Sequence, residues 1–216
     1  MLPETAPIRF LALNASHRQA VATIAHAAFR GSPFYAQTLG LDESAFSHYW
    51  KEFFELALRD PNATVYALER DGEIVAALAL AFDGFPSIWL AVWFLTRLLL
   101  RIGLAKLARY VRFALKYERV MRRPAREHGL EARGLWLFVE PSAGSRLGSR
   151  LVREVTELVR LRGKLLTTGF IDASNGALIA FYRRNGFRVL PSFELSGMRA
   201  ARIERWLSPP AAGQGR

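Results

Sequence analysis

The stretch Leu137-Phe138-Val139-Glu140-Pro141-Ser142-Ala143-Gly144-Ser145-Arg146-Leu147-Gly148-Ser149-Arg150-Leu151 decides how this chain folds. It reads as the end of a strand (Leu135–Glu140), a Gly-containing turn (Pro141–Arg146) and the start of an amphipathic helix (Leu147–Arg162). Such a passage leaves backbone N–H groups unpaired at a helix N-terminus, where the helix dipole adds partial positive charge and glycine lets a ligand approach the chain. Together these favour a pyrophosphate without requiring any particular side chain, and Arg146 and Arg150 reinforce the preference for an anion. The same pattern also builds an ordinary parallel crossover, so alone it leaves both readings open.

Downstream, the chain reads as a strand (Leu165–Ile171), a helix (Asn175–Asn185) and a strand (Phe187–Leu195), with a last apolar run near Met198–Leu207 that closes the sheet. This alternation argues an α/β architecture with at least one parallel strand pair. Asn175 is placed to cap its helix and Gly186 to end it. Tyr182 lies in the last turns among arginines, whose charge is expected to favour the phenolate and lower its pKa from the usual value of about 10. A tyrosine packed on an apolar helix face is the structural alternative.

Upstream, Ile8–Leu13 reads as a strand, Asn14-Ala15-Ser16 as cap chemistry, and Arg18–Arg30 as a helix. A second helix over about Glu43–Leu58 ends before Asp60-Pro61-Asn62. Two apolar runs, Thr64–Glu69 and Glu73–Phe82, flank Arg70-Asp71-Gly72, a strong hairpin signal. From Ser87 to Arg123 a helical pattern breaks near Gly103. Its basic residues, Arg97, Arg101, Arg109, Arg112, Lys116, Arg119 and Arg123, are expected on one solvated face. Leu107, Tyr110, Val111, Ala114, Leu115 and Met121 make the opposite, apolar face. The other reading of this pair of helices is a membrane or acyl-chain surface.

The chain has 216 residues, enough for one substantial core, and we expect a single domain over residues 1–208 followed by a disordered tail over 209–216. With 51% hydrophobic and 23% charged residues it falls in the range of folded globular proteins. Thirty Lys and Arg against 19 Asp and Glu give a net charge of +11, which favours anionic partners: nucleic acid, a membrane surface or a polyanionic cofactor. The absence of cysteine excludes a disulfide framework, a thiolate metal site and a covalent acyl-cysteine mechanism. His17, His26, His48 and His128 show no metal-ligand spacing, so no metal is expected. The start of the chain lacks the basic and apolar regions of a secretory signal, and a cytoplasmic location is the expectation. The apolar stretch Phe85–Leu100 is interrupted by Arg97 and falls short of the roughly 20 residues that span a bilayer.

Taken jointly, Val139-x-Pro141, Gly144, Gly148, Asn175, Tyr182 and Gly186-Phe187 resemble the GNAT superfamily of acyl-CoA-dependent N-acyltransferases. The match covers about residues 135–190. Ala143 stands where the family's turn opens with Gln or Arg, and Arg146 where it has its middle glycine. The resemblance implies a GNAT-like α/β (α+β) fold: a mixed, largely antiparallel central sheet with a parallel, splayed strand pair and helices on both faces. A helical insertion, about residues 85–126, would precede the cofactor-binding strand.

It further implies an enzyme that moves an acyl group from acetyl-CoA or a longer acyl-CoA to a primary amine, in a small molecule or a peptide, within a ternary complex. The cofactor would lie on Leu137, Phe138, Val139, Gly144, Ser145, Arg146, Leu147, Gly148 and Ser149, with Asn175 holding the pantetheine. Tyr182 would protonate the departing thiolate, and a strand N–H would polarise the thioester carbonyl. The base that deprotonates the amine is sought among Glu140, Glu131, Glu118 and Asp83, expected near the open end of the sheet, with Glu140 the first choice. Two alternatives stand beside this reading. One is a long-chain N-acyltransferase, fed by acyl-CoA or an acyl-carrier protein, with the insertion as its acyl site. The other is a non-catalytic basic module for membrane or nucleic acid, though nucleic acid is disfavoured because no reading motif accompanies the charge.

Overall fold

The computed structural model describes residues 8–30, 32, 35, 39–121, 129–140 and 146–207. Gly144, Ser145, Arg123 and the expected tail lie outside the described residues. Seven strands form one sheet: β1 (Arg9–Ala12), β2 (Ala63–Arg70), β3 (Glu73–Ala81), β4 (Glu131–Val139), β5 (Leu166–Asp172), β6 (Arg188–Leu195) and β7 (Met198–Trp206). Their spatial order is β1-β2-β3-β4-β5-β7-β6, and β4–β5 is the one parallel pair among otherwise antiparallel neighbours. The last strand therefore does not close the sheet at its edge. It inserts between β5 and β6, leaving the polar β6 outermost.

Six α-helices accompany the strands among the described residues: α1 (Arg18–Phe29), α2 (Glu43–Arg59), α3 (Ile88–Ile102), α4 (Leu104–Met121), α5 (Leu147–Leu161) and α6 (Gly176–Arg184). The β2–β3 hairpin turns at Asp71 and Gly72, with φ of 55° and 80°, the left-handed pair that a two-residue turn between twisted strands requires. The sheet has an apolar cluster on each face. On one face Val152, Val155 and Val159 of α5 pack with Leu78, Leu80, Ala132 and Ile203 of the strands. On the other, Trp50 and Phe54 of α2 and Phe94 and Leu98 of α3 pack with Trp136 and Phe138 of β4. Alternation along β4 sends Leu137 and Val139 to the first cluster, Trp136 and Phe138 to the second.

β4 starts four residues earlier than the apolar pattern indicates. Its first residues are charged but buried, Glu131 at 2% exposure and Arg133 at 5%. Arg133 pairs with Glu118 of α4, and the Thr168 hydroxyl donates to one Glu131 oxygen, the other finding no hydrogen-bond partner among the described residues. The register of β4 on β3 then slips: Ala79 faces Trp136 and Leu80 faces Gly134, which makes Leu135 the extra residue of a β-bulge.

Polar anchors on several sides fix the insertion. The buried Asp60 carboxylate accepts from Asn62 N at 2.9 Å and from Ser87 N at 2.7 Å, tying the start of α3 to the end of α2. Arg97 turns inward to grip Glu52 with two hydrogen bonds of 2.6 and 3.1 Å, its guanidinium over the Trp93 ring. Lys106 pairs with the α2 cap Asp42, and Val120 O accepts from Arg202 of β7 at 3.2 Å. The expectation of one solvated basic face thus holds only for α4, where Arg109, Arg112, Lys116 and Arg119 are exposed. The outer face of α3 is apolar instead, and Leu115, expected to be inward, is exposed.

Candidate active site

The parallel pair is short. Glu131, Ala132 and Arg133 face Leu166, Thr167 and Thr168, and beyond that point no strand among the described residues pairs with the β5 side of β4. Half of the backbone N–H and C=O groups of Leu135–Val139 therefore meet no neighbouring strand, an open edge that an extended ligand bearing amides can join. Glycines sit where the strands part. A Cβ on Gly134 would stand 3.3 Å from Thr168 O, and one on Gly169 would stand 3.5 Å from Gly134 O.

On the α5 side of the fork lies a narrow slot of about 50 Å³, lined by Leu137, Val152, Val155, Thr156, Gly169 and Tyr182, among others. On the opposite side lies a chamber of about 330 Å³, walled by Trp50 and Phe53 of α2, Phe94 and Leu95 of α3, and Tyr110 and Phe113 of α4. Leu135, Trp136 and Phe170 line both, so the fork is the wall the two spaces share. The bulge makes this possible, because it lets Leu135 and Trp136 both reach the chamber.

The predicted site residues divide between these spaces. Leu137 lines the slot directly, while Phe138 packs on the chamber-side core and Val139 beside Gly148. A Cβ on Gly148 would meet Phe181 at 3.2 Å and Val139 at 3.3 Å, so this glycine lets α5 lie close against β4 and α6. Arg146 opens α5 without a side-chain cap, and no acid occupies the first turn. The N–H groups of Leu147, Gly148 and Ser149 at the start of α5 consequently have no acceptor within the helix. Ser149 Oγ accepts from Asn185 at 3.1 Å. Arg150 points elsewhere than expected: it donates to Ile8 O at 3.1 Å and lies 4.0 Å from Glu154. Asn175 is exposed, and its side-chain oxygen accepts from Leu178 N at 3.0 Å as the α6 cap.

Tyr182 lines the slot, its ring edge-on to Phe181 and Phe187 at centroid distances of 5.1 and 5.3 Å. The sequence suggested a lowered pKa. The structure reverses that: Arg183 and Arg184 extend into solvent, and burial among the phenylalanines pushes the phenol up to about 12. Tyr182 thus holds its proton throughout the neutral range. Tyr35, Tyr49 and Tyr110 in the chamber wall are likewise kept neutral, chiefly by burial.

The four candidate bases separate. Glu118 lines the chamber, paired with Arg133. Glu131 is buried at the closed base of the fork, and Asp83 lies at that same end, 3.7 Å from Lys164; neither is near the open end as expected. Glu140 ends β4, its N–H donating to Val75 O at 2.9 Å, and lines neither space. The long-chain alternative drawn from the sequence has the insertion as its acyl site, and α3 and α4 do wall the chamber; the α2 wall, Tyr49, Trp50 and Phe53, was missed, although aromatic residues at helical spacing in α2 are a signal for it.

The Acetyltransferase (GNAT) family matches residues 31–187, well over half of the chain. The chain belongs to this family. It is therefore an enzyme of the acetyltransferase type, and N-acyl transfer is its general chemistry. Solved structures share the fold at low identity. An agmatine N-acetyltransferase is 15% identical with a TM-score of 0.64, over 93% of this chain and 99% of its own. A ribosomal-protein-alanine N-acetyltransferase from Brucella melitensis is 17% identical with a TM-score of 0.56, over 92% and 99%. The PaiA N-acetyltransferase of Thermoplasma acidophilum, solved in complex with coenzyme A, is 12% identical with a TM-score of 0.55, over 93% and 99%. No curated protein matches the chain by sequence. The GNAT fold inferred from motifs at residues 135–190 thus extends over nearly the whole chain, and the non-catalytic alternative gives way to an enzyme.

Proposed function

We propose that this GNAT protein, acting as one catalytic unit, transfers an acyl group from acyl-CoA to a primary amine across the β4–β5 fork. The observation that carries the reading is the fork itself, a gap with an open strand edge, a protonated tyrosine on one side and a roomy chamber on the other. The residues suit coenzyme A: the open edge of β4 offers hydrogen bonds to pantetheine amides, and the uncapped, acid-free start of α5 suits a pyrophosphate. Bound there, acyl-CoA would supply the activated thioester. A backbone N–H of Leu137–Val139 would donate to its carbonyl oxygen, and Tyr182 would hold the proton that the departing sulfur takes. The family resemblance adds Gly144 and Ser145, outside the described residues, to the proposed cradle.

The acceptor enters from the chamber. Its lining is almost wholly apolar, and Glu118 and Arg133 are its charged residues among those described. This favours an apolar group on one substrate, either a long acyl chain or the body of the amine, and it keeps the long-chain reading alive with acyl-CoA or an acyl-carrier protein as donor. The buried indole N–H groups of Trp50 and Trp136 have no acceptor among the described residues, so the group received there is expected to carry a hydrogen-bond acceptor. Glu118, which lines the chamber, would take the amine proton, with Glu140 as the competing assignment.

Calorimetry with acetyl-CoA and octanoyl-CoA tests the proposal. Heat of binding is expected with at least one donor, and its absence with both would end the acyl-CoA reading. Glu118→Gln and Glu140→Gln, assayed for the acid limb of the kcat/KM profile, decide between the two bases.

A further inference from the structure

We propose that the outer face of α3 docks the enzyme in the plane of an anionic lipid bilayer. At 100° per residue, Ile88, Trp89, Val92, Thr96, Leu99 and Leu100 share one arc of about 120°. That arc faces solvent: Trp89 is 83% exposed, Leu100 78% and Ile88 73%. Its one polar member, Thr96, spends its hydroxyl on Val92 O at 2.9 Å, so the arc offers water no free side-chain donor. Leu104 and Leu115 extend the apolar exposure onto α4. Elsewhere among the described residues the large exposed hydrophobics are Leu161 and Trp206 alone.

Such concentration is not loose packing. The inner face of α3, at Phe94, Leu98 and Ile102, is buried, and Asp60 and the Glu52–Arg97 pair fix the helix at its start and middle. The apolar face is presented by a rigid support.

Charge selects the occupant. Between Asp83 and Glu118 the sequence holds no acidic residue and six basic ones. Arg97 is consumed by Glu52, whereas Arg101, Arg109, Arg112 and Lys116 are exposed, joined by Arg119 one turn later. On α4, Leu104 and Leu115 border Arg112, Lys116 and Arg119 within a single arc, the juxtaposition that sets an interfacial helix at the headgroup level. The exposed Trp89 suits the same depth. No helix among the described residues is long and apolar enough to cross a membrane, so contact is in-plane. Phe94, opposite the arc, and Ala91 and Leu95, between it and the arc, wall the chamber, placing that space within about one helix diameter, roughly 10 Å, of the lipid. Delivery of an apolar substrate from the bilayer would follow from the proposed acyl transfer; the docking itself stands without it.

The test is flotation of the purified protein with large unilamellar vesicles of phosphatidylcholine containing a quarter phosphatidylglycerol, at low and high salt. Binding is expected to the mixed vesicles, weaker at high salt, and weak to pure phosphatidylcholine. Trp89→Ser/Leu100→Ser should lower the partition coefficient on the order of a hundredfold. Arg112→Glu/Arg119→Glu should lower it at least tenfold. Both variants should keep the wild-type melting temperature, since these side chains lie in solvent, and Trp206→Ser should bind as wild type. Absence of binding to anionic vesicles, or equal binding by the Trp89/Leu100 variant, overturns the proposal. So does a wild-type dimer that this variant converts to monomer without any vesicle binding, which would make the face a contact between copies.

Discussion

The two sides of the fork are built on opposite principles. The slot toward α5 is tight and lined mainly by aliphatic side chains, but the features around it that suit a ligand are backbone: an open strand edge, glycines at the point of divergence, and α5 amides without a side-chain cap. The chamber toward α2, α3 and α4 is more than six times larger, at about 330 against 50 Å³, and made of side chains, nearly all aromatic or aliphatic. Backbone features of this kind constrain which residues can stand there. A wall of side chains asks only for apolar bulk. On the proposed reading the slot would carry the chemistry common to the family, and the chamber what is particular to this chain.

The largest effect should come from the slot. Tyr182→Phe removes the proposed proton donor without changing the packing against Phe181 and Phe187, so kcat should fall by about 10²- to 10⁴-fold with acyl-CoA affinity unchanged. The pH dependence sharpens this. Because burial raises the phenol to about 12, its acid form persists until pH approaches that value. The wild-type rate should show no alkaline loss from Tyr182 near pH 10. A limb near pH 9 that disappears in the phenylalanine variant would keep Tyr182 as the acid but contradict its raised pKa.

A chamber substitution should act differently. Ala114→Phe adds bulk to the lining where α4 faces the space. Rates with the preferred bulky or long-chain substrate should drop about tenfold to a hundredfold, the range of 1–3 kcal/mol expected for a filled apolar pocket. Calorimetric affinity for free coenzyme A should stay the same, because the slot lies across the fork. Equal loss of both would show that the chamber and the slot are not separate.

The same contrast governs how much could be read from the sequence. Gly186, with φ of 79°, ends α6 as expected, and Asp71-Gly72 makes the predicted hairpin, because each position demands a backbone that few residues adopt. The parallel pair and both cores follow from period-2 and period-3.6 patterns. What failed did so where tertiary contacts override the local signal. Glu131-Ala132-Arg133 resembles a polar loop, yet Glu118 and Thr168 supply partners that allow burial inside a strand. The arginines beside Tyr182 promised a lowered pKa, but helix geometry turns them outward while the phenol turns in. Aromatic spacing in α2 marks an inward face but does not show that α3 and α4 leave a space opposite it. Apolar residues on α3 gave no sign of which would stay uncovered, since that depends on where Asp60 and Glu52 pin the helix.

The smallest expected effect concerns Asn175, where the two principles meet in one side chain. Its oxygen caps α6 through Leu178 N at 3.0 Å, and its amide nitrogen is proposed to hold pantetheine. Asn175→Ala should cost about 1 kcal/mol of stability through the lost cap, read as a lower midpoint in urea unfolding. That loss alone says nothing of the ligand. Asn175→Asp keeps a competent cap, since aspartate accepts the same hydrogen bond, but it removes the donor and places a negative charge beside the cofactor path. Stability should then match wild type while KM for acyl-CoA rises severalfold. If KM is also unchanged, Asn175 is a helix cap alone, and recognition of the pantetheine falls to the open edge of β4, where the backbone and not a side chain makes the contact.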